Sequence, residues 1–245
     1  MNPAWAENVL AHYRHAGPVQ RFHLAGRLRL CPYPALLKHL TGTESLLDIG
    51  CGFGHLAWFL EKERPDLRYY GTDLDESKIA LAQASVSVGA AGAAAEAGGH
   101  RPFFLAGDIR KQAGLPARFG NIVLLDVLYL MPWEAQLALL EWCLSRLSDR
   151  PGSALVIKAM PPPEGFSGFR AVAQEWLMVR VFRRTRHSGL VNGARAWTDY
   201  RDFAAARGLG FGREELPTFN PSMILRLQRV AASAERTPGI AHARS

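Results

Sequence analysis

The chain has 245 residues, 48% of them hydrophobic, and carries 29 lysines and arginines against 22 acids, a net charge of +7. This is enough apolar material for one substantial core, while no apolar run approaches the ~18 residues of a membrane span. The opening MNPAWAENVL contains an acid and lacks the basic-then-apolar order of a secretion signal, so a cytoplasmic protein is expected. Cys31, Cys51 and Cys143 show neither CxxC nor Cys/His ligand spacing, which speaks against a disulfide framework and a zinc site. The positive charge suits nucleic acid, an anionic membrane surface or an acidic substrate equally, and by itself selects none of them.

Residues 4 to 40 read as one or two short helices, broken at AGP and at CPYP, where proline removes a backbone donor. From Glu44 the pattern becomes regular. ESLLDIG is a short apolar run ending in glycine, HLAWFLEKERP a helix stopped by Pro65, and LRYYGTDL a strand. DESKIALAQASV follows as a helix with Asp75 as its cap. RPFFLAGDI is a third strand and NIVLLDVLYL a fourth, ending at Asp126. PWEAQLALLEWCLSRL is a long helix opened by Pro132, and SALVIKAM a fifth strand. An insertion over 161–196 precedes a helix at TDYRDFAAARGLG and a strand at SMILRLQRV. Strands alternating with helices predict an α/β fold with a parallel, doubly wound sheet. VGAAGAAAEAGGH reads as a surface connection, and residues 231–245 as a disordered tail.

The stretch LLDIGCGFGHL raises a chemical question. Glycines 50, 52 and 54 at a helix N-terminus let a ligand approach the backbone closely. The dinucleotide fingerprint G-x-G-x-x-G, however, needs glycine where His55 stands. Asp48 precedes the turn, and like charges about 4 Å apart repel by roughly 4 kcal/mol at an effective dielectric of about 20. An ionised Asp48 facing the ligand would therefore disfavour a pyrophosphate and favour a cationic nucleoside such as S-adenosylmethionine.

LLDIGCGFG resembles the acidic-x-Gly-x-Gly-x-Gly motif of the class I S-adenosylmethionine-dependent methyltransferases. GTDLDESKI, AGDIR and NIVLLDVLYLMP stand where that family's next three motifs stand, so the resemblance covers about residues 44–160. It implies a seven-stranded, mostly parallel Rossmann-like sheet over 44–230, with residues 1–43 as a helical cap and 161–196 as a lid-like insertion. It further implies a cofactor site of Asp48, Gly50, Cys51, Gly52, Gly54, Asp73, Leu74, Asp108, Ile109, Asp126 and Val127. In that site Asp73 would accept from the ribose hydroxyls, Asp108 would meet the adenine amino group, and Leu74 and Ile109 would sandwich the ring. Tyr129 and Trp176 would face the substrate.

Methyl transfer needs alignment and exclusion of water more than a base. Should a base be used, His12, His15, His23, His187 and Lys158 are the candidates. In the insertion, apolar residues at helical spacing, Phe169, Val172, Trp176 and Val179, run into Arg180, Arg183, Arg184 and Arg186. This greasy, basic helix reads as a lid for a hydrophobic, lipid-like or carrier-bound acceptor, as a peripheral membrane contact, or as an ordinary core helix with a solvated end. The chain looks similar to bacterial small-molecule methyltransferases of secondary metabolism, which implies O-methylation of an aromatic or lipid-like acceptor. The alternatives are a non-catalytic adenosylmethionine-binding module, and an RNA ribose 2′-O-methyltransferase. The latter rests on Lys38, Asp126, Lys158 and Glu214 (or Glu215), which follow the chain order of that family's Lys-Asp-Lys-Glu tetrad, although no aromatic-basic RNA module is appended.

Overall fold

Short N-terminal helices lead into the sheet: α1 (Ala4–Ala11), α2 (Pro18–Leu30) and the single turn α3 (Tyr33–Leu36). A computed structural model describes residues 4–31, 33–90, 100–160, 193–216 and 222–230. Pro18 opens α2, where its missing N–H costs nothing. The regular part alternates β1 (Ser45–Ile49), α4 (His55–Glu63), β2 (Arg68–Asp73), α5 (Glu76–Ala90), β3 (Phe103–Ala106), β4 (Asn121–Leu125), α6 (Trp133–Arg146) and β5 (Ala154–Ala159). It closes with α7 (Trp197–Ala205), β6 (Gly210–Leu216) and β7 (Ser222–Gln228). Asp75 caps α5 as expected, its Oδ1 accepting the Ser77 backbone N–H at 2.9 Å.

The seven strands form one sheet in the order β3-β2-β1-β4-β5-β7-β6. β1 to β5 pair in parallel, and β7 runs antiparallel between β5 and β6. β1, β4 and β5 are buried along their whole length, as strands covered on both faces must be. One core packs Leu24 and Leu28 of α2, Trp58 and Phe59 of α4 and Ile79 of α5 against one face. The other packs Leu140, Cys143 and Leu144 of α6 and Tyr200 and Phe203 of α7 against the opposite face. The N-terminal helices thus share a core with the sheet. All three cysteines are free thiols.

Two strand expectations change. β6, GFGREEL, has no counterpart in the pattern reading, because it is an edge strand whose residues alternate between exposed and half-buried and include two glycines. β4 ends at Leu125, one residue short of Asp126, whose φ of 60° turns the chain out of the strand. Among the described residues no helix is long and apolar enough to cross a membrane. Trp176, His187 and most of the 161–196 insertion lie outside the described residues, as do the His23 side chain and 231–245.

Candidate active site

Strand order reverses at β1, and in open α/β sheets ligands bind at the carboxyl edge beside such a switch point. Here that edge carries the glycine turn after β1, Asp73 at the end of β2, Asp108 beyond β3, and Asp126 beyond β4. A separate shallow hollow lined by Arg68, Tyr70, His100, Arg101 and Phe103 lies at the amino ends of β2 and β3, away from this edge.

The glycine turn has already committed its amides. Gly50 and Cys51 both donate their N–H to the Thr72 carbonyl, at 2.7 and 2.9 Å, and Gly54 donates to the Cys51 carbonyl. Gly52 donates to Asp73 Oδ2 at 2.9 Å, while Asp73 Oδ1 accepts from the Asp75 N–H. A pyrophosphate needs several such N–H groups at once, and four of them are taken, one by a carboxylate. Asp73 keeps further acceptor positions on both oxygens, the chemistry a vicinal diol requires.

The glycines divide by role. A Cβ on Gly54 would stand 2.5 Å from the Phe104 ring, and the residue sits at φ +79°. Gly52 is also left-handed, at φ +58°, but a Cβ there meets nothing within 4 Å. Gly54 therefore serves packing, and the open face of Gly52 is the place where a ligand can reach the backbone. Gly54→Ala is expected to lower the melting temperature sharply. Gly52→Ala should cost about 1–2 kcal/mol of backbone strain and, in addition, weaken the cofactor in calorimetry.

Asp48 corrects the electrostatic expectation. It is 3% exposed, buried on the cap side of β1, and accepts the Tyr69 hydroxyl at 2.5 Å. Burial pushes its carboxyl up to about 7, against the lowering effect of the Tyr69 hydrogen bond. The full negative charge assumed at the turn is thus absent in part at neutral pH, because desolvation disfavours the ion. Asp73, not Asp48, puts a carboxylate on the turn itself. Cys51 lies within electrostatic reach of both carboxylates, and burial raises its thiol well above the ordinary range.

Asp108 caps the short turn Ile109–Lys111 by accepting the Arg110 N–H, and also pairs with the Arg110 guanidinium. That partner holds its carboxyl below the usual range. Ile109 is buried and Leu74 is 55% exposed. Val127 packs against Gly50, placing the β4 exit beside the turn.

Asp126 is engaged elsewhere than expected: Lys158 Nζ donates to its two oxygens at 2.7 and 2.9 Å. Arg27 of α2 lies 3.7 Å from Oδ2. Lys38 pairs instead with Glu214 at 2.7 Å, a carboxylate shared with His39. The four tetrad residues thus form two ion pairs, and the buried Ile224 stands between Lys158 and Glu214 in the β5-β7-β6 row. Of the candidate bases, His12 stacks on Trp58 at 3.8 Å and lies 3.5 Å from Glu61, so it belongs to the α1–α4 interface. His15 is exposed.

Sequence reading missed three residues. The Tyr13 hydroxyl donates to the Phe53 carbonyl at 2.6 Å, tying the N-terminal helices to the glycine turn. Buried Gln136 donates to the Met131 and Gly193 carbonyls and accepts the Tyr200 hydroxyl, while Gly193 N–H donates to Tyr129. The chain therefore returns from the insertion directly beside Tyr129. Arg27 is the third. Among the described residues no group of three or more His, Cys, Asp or Glu is placed to hold a metal ion.

Residues 34–97 match the family model of the methyltransferase small domain, a span that holds the glycine turn and Asp73. This is the fold of the S-adenosylmethionine-dependent methyltransferases. Among solved structures, the pyocyanin biosynthetic protein PhzM aligns with a TM-score of 0.60 at 17% identity, over 89% of this chain and 60% of its own. The plantazolicin methyltransferase BpumL, solved with SAH and a pentazolic desmethylPZN analog, aligns at 0.57 and 15%, over 93% of this chain and 97% of its own. The mitomycin 7-O-methyltransferase MmcR aligns at 0.60 and 18%, over 93% and 61%. At these identities the likeness is one of fold, and this chain spans about 60% of the length of PhzM and MmcR. No curated protein matches the sequence. The residues at the carboxyl edge of this methyltransferase fold suit the cofactor: an open glycine, a carboxylate with acceptor positions left for a diol, and a turn whose amides are taken.

Proposed function

We propose that the chain is an active methyltransferase that moves the methyl group of S-adenosylmethionine to an oxygen of a small hydrophobic or aromatic metabolite. The observation that carries this reading is the glycine turn, whose amides are consumed by Thr72 and by the Asp73 carboxylate beside the open face of Gly52. Asp73 would hold the ribose hydroxyls, Leu74, Asp108 and Ile109 the adenine, and Gly50, Cys51 and Gly52 the amino-acid end. When bound, S-adenosylmethionine would supply an activated methyl carbon and a sulfur that leaves with the bonding pair. The chain's own part is alignment and exclusion of water. Val127 and Tyr129 floor the acceptor side, and the N-terminal helices, fixed to the turn through Tyr13, cover it.

The acceptor class is supported by the similar structures, whose names tie them to pyocyanin, plantazolicin and mitomycin. The division of the lysine-carboxylate tetrad into two pairs favours a small molecule over an RNA ribose. Calorimetric titration is expected to give saturable binding of S-adenosylmethionine and none of NAD; the reverse would reject the reading. Incubation with a deuterated methyl donor should then label a compound in small-molecule extracts. Label found only in an RNA control, and sensitive to salt, would replace the small molecule with RNA.

A further inference from the structure

Beside the carboxyl end of β4, two cations meet one carboxylate. Lys158, on β5, and Asp126 have side chains only 10% and 11% exposed, whereas Arg27 reaches the pair from α2 with its side chain 41% exposed. Lys158 is the one charged residue in the buried run Ala154–Ala159. A buried ion pair gains little over apolar side chains of similar size and is weak evidence for a stabilising role, so its place beside the site calls for another explanation. Among the described residues in this cluster, the formal charges of Arg27, Lys158 and Asp126 leave one positive charge in excess. Asp48, a second carboxylate within electrostatic reach of Arg27, is tied to Tyr69.

The donors also exceed the acceptors. An ammonium has three N–H groups and a guanidinium five. The two Asp126 oxygens take two from Lys158, and among the described residues Arg27 meets Asp126 at the longer 3.7 Å. Tyr33 and Tyr129 lie within electrostatic reach of Arg27, giving the cation aromatic neighbours. β4 separates this cluster from the glycine turn: β1, which carries the turn, pairs with one side of β4, and β5, which carries Lys158, pairs with the other. The cluster thus borders the carboxyl edge on the side of the glycine turn away from β2 and Asp73.

Building on the methyltransferase reading, we infer that Arg27 and Lys158 bind the acceptor as an oxyanion, a phenolate or a carboxylate on an aromatic body, with Asp126 as the residue that positions Lys158. The planar guanidinium fork matches a carboxylate or phenolate oxygen. An acceptor oxygen that arrives ionised has no proton to lose, so the chain needs no general base. The two described histidine side chains among the candidate bases fit this: His12 is occupied at the α1–α4 interface and His15 faces solvent.

The test uses the full chain saturated with S-adenosylhomocysteine and reads binding of four probes by saturation-transfer NMR, which detects weak ligands. Benzoate and 4-nitrophenolate are the anions; benzamide and benzyl alcohol are their neutral counterparts. Each anion is expected to bind at least about tenfold tighter than its counterpart, a difference of about 1.4 kcal/mol. Arg27→Gln should erase the preference and Arg27→Lys, which keeps the charge and loses the fork, should keep part of it, both with S-adenosylhomocysteine affinity retained as evidence of folding. Asp126→Asn removes the carboxylate that competes for both cations and should raise the preference without changing affinity for the neutral probes, a split that general loosening would not produce. Equal binding of anions and neutrals, no anion signal, or a preference surviving in Arg27→Gln overturns the inference while the cofactor still binds. Failure of S-adenosylhomocysteine to bind the unaltered chain overturns the methyltransferase reading instead, and the oxyanion site with it.

Discussion

Asp73→Ala is expected to weaken S-adenosylmethionine binding by at least about 100-fold in calorimetry while leaving the circular dichroism spectrum unchanged. Two losses combine. The carboxylate that would take the ribose hydroxyls disappears, and hydrogen bonds to an ionised group are worth roughly 1.5–3 kcal/mol each. The Gly52 and Asp75 amides also lose their acceptor, so the turn is no longer held in its binding geometry. Together these exceed the ~2.8 kcal/mol that a hundredfold change requires. Asp73 is only half-buried at a strand end, so its removal opens no core cavity. A variant that binds within a few-fold of the unaltered protein would remove Asp73 from the site.

The second large effect concerns stability. An aspartate in an unfolded chain titrates at about 3.9, whereas burial pushes Asp48 up to about 7 in the folded protein. Between these values the unfolded chain releases a proton that the folded one keeps. The contribution of Asp48 is therefore fully present below about pH 4 and is lost as pH rises through about 7. Asp48→Asn keeps the shape and an oxygen to accept from Tyr69, and removes the ionisation. At pH 8 it should be more stable than the unaltered protein by about 2–4 kcal/mol, since each tenfold change in proton affinity between the folded and unfolded chain corresponds to about 1.4 kcal/mol. Near pH 4 the two should melt together. Denaturant titrations at the two pH values check this, and equal stability at pH 8 would mean that Asp48 is not desolvated. The same variant should lose less cofactor affinity than Asp73→Ala, because Asp48 lies beneath the turn and Asp73 on it.

The contrast between these carboxylates marks the limit of what the sequence reveals. Both read as acids at strand ends beside glycines, and a linear pattern gives them equal claim to the ligand. Their difference comes from partners distant in the chain: Tyr69 across the sheet buries Asp48, and the Gly52 amide turns Asp73 toward the turn. Arg27 carries no motif either, as one of several arginines in a helix whose two ends both read as breaks. Only the core that α2 shares with the sheet brings it to Asp126. The edge strand β6 escaped notice because half-exposed alternation interrupted by glycine resembles a loop.

What the sequence determined by itself was the local order: apolar runs of strand length alternating with helical stripes, glycines that admit a left-handed turn, and acids placed at strand ends. These follow from backbone sterics and hydrophobic period, which act within a few residues. The tertiary structure decided which amides remain for a ligand, which carboxylate burial keeps partly protonated at neutral pH, and which cations share Asp126. Desolvation and charge pairing depend on neighbours brought together from across the chain, and no window of sequence contains them.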